Sequence, residues 1–68
     1  MKFIKVKEQS SEAEIYINIS HIICFSKLDN ETISLAVKDF DKPLFVKYDI
    51  DDFIHAIIFL NKNKDAVV

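Results

Sequence analysis

Polar and apolar residues alternate along this chain with two rhythms, and the first occupies most of it. From Lys2 to Lys7 the alternation is strict: Ile4 and Val6 fall on one side, Lys5 and Lys7 on the other, the period of two that marks a strand. "EQSSE" (residues 8–12) is a polar break. "AEIYINI" then directs Ile15, Ile17 and Ile19 one way and Glu14, Tyr16 and Asn18 the other, as in an antiparallel strand with one buried face. Ser20 and His21 interrupt, and "IICFSK" resumes as a third strand. There Ile22 and Cys24 alternate with Ile23 and Phe25, so both faces are apolar and the pattern predicts a central strand with a buried cysteine. "LDNE" supplies a turn, with Asp29 and Asn30 replacing glycine because they tolerate left-handed backbone at low cost. "TISLAV" is a fourth strand with Ile33, Leu35 and Val37 inward, and "KDFDKP" is a loop. "LFVKY" is a fifth strand, preceded by Pro43, where a missing N–H does least harm.

The rhythm changes after Tyr48. Asp49 is placed as an N-cap, and Asp51 and Asp52 put negative charge in a first turn, where the helix dipole favours it. Ile50, Phe53, Ile54, Ile57 and Ile58 recur at helical spacing, with Leu60 on the edge of that face and Phe59 outside it. "NKNK" brings Lys62 and Lys64 to the end where cations are welcome. The reading is an α+β fold: a five-stranded antiparallel β-meander packed by one C-terminal α-helix over about residues 50–61, in a single domain of residues 1–68.

The apolar residues of that helix wrap too far round for one buried face. Ile50, Phe53, Ile54 and Ile57 are expected on the sheet, leaving Ile58 and Phe59 for a neighbouring chain. With Phe25 on the doubly apolar strand and Phe40 in a polar loop, they are the candidate interface residues. Size argues the same way. A chain of 68 residues buries only about 60% of its unfolded surface, and a single cysteine precludes an internal disulfide, so self-assembly is the remaining source of extra burial.

Charge and motifs narrow the chemistry. Nine lysines, no arginine and a net charge of −2 do not make the basic stripe of a nucleic-acid binder. Tyr16, Phe40 and Tyr48 can stack bases only within a positive groove, and Tyr16 shares its face with Glu14 and Asn18. Strand parity sends His21 and Cys24 to opposite faces, so they form no nucleophilic pair. Asp51 and His55 stand four apart on the helix, yet two ligands without a third make a poor metal site. The expectation is therefore no catalytic, metal or cofactor residue. The opening "MKFIKVKEQ" lacks the apolar run of a signal peptide, and Ala56 to Leu60 falls far short of the roughly 20 residues that span a bilayer, so the expected location is cytoplasmic.

"EIYIN" (14–18), Ile22–Ile23, "ETISL" (31–35) and "FVKYDIDDFI" (45–54) resemble, in order and spacing, the FlbD-like family of short flagellar-operon proteins. Those run strand, "IYVN", an Ile-rich strand, a turn with Asp-Thr, another strand, then "V(K/R)ES" and a terminal amphipathic helix. The likeness covers most of the chain, although the family's turn glycines are absent and Tyr48–Asp49 stand where it has Glu–Ser. It implies a small motility-associated protein. The same spacing resembles the front half of LytTR-type DNA-binding domains. Those continue past the helix with further residues that help hold DNA; this chain stops short of them, and the basic residues they rely on are mostly absent. The leading expectation is a non-enzymatic interaction or structural module, homo-oligomeric and with a further protein partner. The alternative is a DNA-binding accessory or regulator of LytTR-like type, and an enzyme ranks third.

Overall fold

Each alternating segment forms a strand: β1 (Lys2–Glu8), β2 (Glu14–Asn18), β3 (Ile22–Lys27), β4 (Thr32–Val37) and β5 (Leu44–Lys47). The helical segment forms α1 (Ile50–Lys62), and a short β6 (Ala66–Val67) follows it. The computed structural model describes residues 1–63 and 65–68, so the cation expected at Lys64 lies outside the described residues. β1 to β5 form one antiparallel sheet in the order β2-β1-β5-β4-β3. β5 pairs with β1 only at Lys7 and Glu8, which leaves the other end of that β1 edge open. β6 fills it in parallel, Lys2 opposite Ala66 and Phe3 opposite Val67. Two residues carry no readable periodicity, which is why the pattern does not announce β6.

The strand order forces the sheet to curl. β2 and β3 stand at its two ends, yet a single 3-10 turn, Ile19–His21, joins them. Five strands laid flat would set those ends about 19 Å apart, whereas three residues of 3-10 helix advance about 6 Å. The two edges must therefore meet at the joint. Asn18 holds it, its side chain accepting from the Ser20 N–H at 3.0 Å. The expectation that β3 is central is corrected here: β3 is an edge strand.

Left-handed backbone falls at Glu12 (φ 59°) and Asp39 (φ 70°), not at Asp29 or Asn30. The β3–β4 turn closes differently, with the Asp29 carboxylate accepting from the Glu31 N–H at 2.9 Å. Such a side-chain turn does not need positive φ. The chain has no glycine, so Glu12 and Asp39 each carry a backbone cost of about 1 kcal/mol.

Ile4, Val6, Ile17, Ile33, Leu35, Val37, Leu44 and Val46 from the sheet meet Phe53, Ala56 and Leu60 of α1 in one core. Asp49 caps the helix, its carboxylate accepting from the N–H groups of Asp51 (3.0 Å) and Asp52 (3.1 Å). The buried stripe departs from the expected one. Phe53, Ala56 and Leu60 are buried, Ile50 and Ile57 pack at the margin, and Ile54 is exposed. The apolar arc is wider than the sheet can cover, so docking decides which part lies underneath. Phe53 sets that rotation by seating edge-on against Phe25 (4.9 Å) and Tyr48 (5.4 Å). No helix among the described residues is long and apolar enough to cross a membrane.

Candidate interaction surface

β3 carries two exposed large apolar residues, Ile23 and Phe25, on an edge strand. Its pairing with β4 runs Ile22–Val37, then Cys24–Ala36, Phe25–Leu35 and Lys27–Ile33, so Ile23 is an extra residue with no partner. That is a β-bulge, and it reverses the parity of everything after it. Ile22 and Phe25, three apart, share the side of the buried Val37 and Leu35, while Cys24 turns outward with Ala36. The cysteine predicted to be buried is exposed for this reason. Ile23 is 71% exposed.

α1 lies along β3 in the opposite direction. Phe53 meets Phe25, Ile57 lines a shallow hollow of about 300 Å³ with Ile19, Ile22, Ile23, Cys24 and Phe25, and Asn61 sits beside Ile19 and Ser20. Ile54 and Ile58 are one turn apart on the flank next to Ile57, and both are exposed. Ile23 and Phe25 of β3 meet Ile57 at this hollow, and Ile54 and Ile58 follow on the outer flank of the helix beyond Ile57.

The four sequence candidates do not converge. Phe25 lines the hollow, and Ile58 (47% exposed) lies on the outer flank. Phe59, 51% exposed, follows Ile58 by 100° of helix rotation and looks away from it. Phe40 lines a separate hollow with Met1, Phe3, Tyr16 and His21. Ile23 and Ile54, which are not among those candidates, are exposed as well. The Ile22–Ile23 doublet was the available signal for the first, since two adjacent apolar residues at a strand start mark a bulge as readily as a central strand.

The remaining candidates stay dispersed. His21 sits in the 3-10 turn, and no three His, Cys, Asp or Glu side chains gather at metal-binding distance among the described residues. Lys5, Lys7 and Lys47 share the outer face of β1 and β5, Lys7 directly opposite Lys47. Acids interleave them: Glu12 accepts from Lys47 at 2.8 Å and Glu14 pairs with Lys5 at 3.5 Å. The hydrogen bond from Lys47 holds the Glu12 carboxyl below the usual carboxylate range, and its charge adds to the effect. Burial beside Phe53, with a contribution from the Asp52 charge, pushes the Tyr48 phenol up. Comparison with protein-family models, curated proteins and solved structures finds no match to this chain.

Proposed function

We propose that this chain is a non-enzymatic interaction module that associates with itself through the β3 edge and the Ile54–Ile58 flank of α1. One observation carries the reading: the edge strand β3, unpaired on its outer side, lies against Phe53 and Ile57 of a helix whose neighbouring residues Ile54 and Ile58 are exposed. An open edge bordered by isoleucine and phenylalanine is a template for pairing, and native chains commonly blunt such edges or cover them. β3 is only lightly blunted, by the Ile23 bulge and by Lys27 on its inward side. A motility-associated role, as the FlbD-like resemblance implies, and a cytoplasmic location belong to the same proposal. The DNA-binding alternative ranks behind it, because Glu12 and Glu14 break the lysine cluster on β1 and β5.

Sedimentation equilibrium at micromolar concentration tests the proposal. The expected species is heavier than the 7.9 kDa chain, and Ile23→Lys with Ile58→Lys returns it to that mass. A wild-type chain that stays at 7.9 kDa overturns the reading.

A further inference from the structure

The strand that lies open also runs between two oppositely charged ends of the molecule. Because α1 is antiparallel to β3, the end of the strand lies by the start of the helix. Asp29 and Glu31 follow β3, and Asp49, Asp51 and Asp52 begin α1. The two groups are tied together by the Tyr48 N–H, which donates to the Glu31 carbonyl at 2.9 Å. Lys27 stands against these five carboxylates, while the nearby Lys47 is engaged by Glu12.

The start of β3 lies by the end of the helix, and lysines gather there. The Lys38 N–H donates to the His21 carbonyl at 2.7 Å, which places Lys38 beside the strand's first residue. The Lys2 ammonium donates to the Asn61 carbonyl at 3.2 Å, and Lys62 stands in the last helical turn. Asp39, Asp41 and Asp65 oppose them, Lys42 stands in the same loop as the first two, and Asp65 pairs with the Met1 ammonium.

We infer that the occupant of the β3 edge is a second copy of this chain, paired β3 to β3 in antiparallel fashion about a two-fold axis. This rests on the self-association proposed above and adds its geometry. The axis reverses the partner strand, so the carboxylate end of each copy faces the lysine end of the other, twice over. A parallel pairing sets carboxylates on carboxylates. The antiparallel arrangement also continues the sheet, gives the open backbone groups of β3 their hydrogen-bond partners, and brings the Ile54–Ile58 flank of each helix to the same side of the joined sheet. Charge decides the direction of pairing here, and the apolar residues supply the contact.

Charge reversal and a cross-link at the native cysteine test this together. Glu31→Lys and Lys38→Glu each place like charges at both ends of the pair, so each variant alone should dimerise at least several-fold more weakly at low salt. Mixed in equal amounts, they should form a heterodimer, because each reversed charge again faces its opposite across the pair, about 14 Å away over three strand spacings and within a Debye length at low salt. Cys24, the third of six residues in β3, lies near the axis, with partner strands about 4.8 Å apart. A short bismaleimide should therefore join two wild-type chains at Cys24. A wild-type monomer overturns both this pairing and the self-association beneath it. A dimer that fails to cross-link at Cys24, or whose charge variants do not rescue each other, overturns the antiparallel pairing and leaves self-association standing.

Discussion

β3 and β4 are adjacent, hydrogen-bonded to each other and six residues long, and both are rich in apolar side chains. Their fates differ. β4 has a strand on each side, alternates without interruption, and buries Ile33, Leu35 and Val37 beneath the helix. β3 has one neighbour, is broken by a bulge, and has no fully buried residue. Burial here follows the number of flanking elements, not the apolar content of the segment. A sheet with two ends must leave some strand at each end, and in this molecule one of those strands is apolar. That mismatch is the physical basis of the self-association proposed for it.

Substitution of equivalent aliphatic residues gives the largest expected contrast. Leu35→Ala removes a fully buried side chain and should cost about 2–5 kcal/mol, much of the stability of so small a domain. Ile23→Ala, at the exposed bulge, should stay within about 0.5 kcal/mol. Urea unfolding at a concentration that keeps the chain monomeric measures both, and equal losses would break the comparison.

Single-residue deletions sharpen it. Without Ile23, the pairs Ile22–Val37, Cys24–Ala36 and Phe25–Leu35 become one uninterrupted ladder, so native far-UV circular dichroism and cooperative unfolding should persist. Deleting Ala36 instead throws either Leu35 or Val37 to the wrong face and should abolish cooperative unfolding.

The third expected difference is chemical. Cys24 on β3 should react with a maleimide in the native state at close to its rate in urea, because the bulge turns it outward. A thiol protected until denaturation would mean that β3 is regular and covered.

The smallest effect lies on the far side of β4, where Lys47 pairs opposite Thr32 and binds Glu12. The Glu12 carboxyl titrates below its unfolded value, so its contribution to stability is present above the unfolded value and is lost as pH falls through the folded one. Both groups are exposed, and the contribution is slight. Lys47→Gln should raise the Glu12 midpoint in an NMR titration with little change in unfolding. An unmoved midpoint would remove Lys47 as the cause.

Local pattern determined much of this protein. The inward residues of β1, β2 and β4, the Asp49 cap and the position of α1 are all legible, because alternation, helical spacing and capping act over a few neighbouring residues. The apolar excess of the helix was legible too, as a sign that some of it would stay uncovered. Its apportioning was not: Ala56 and Leu60 lie in the core while the larger Ile54 lies outside, because the rotation of the helix depends on how Phe53 seats against Phe25 and Tyr48. Tertiary structure alone also decided the strand order, the curl at Ile19–His21, the edge position of β3 and the sorting of Lys2, Lys38 and Lys62 to one end. These depend on which distant segments pair. One unpaired residue, Ile23, shows the limit most plainly. Shifting a strand by a single position exchanges its faces at no cost that the local sequence records, and only the partner strand makes one register better than the other.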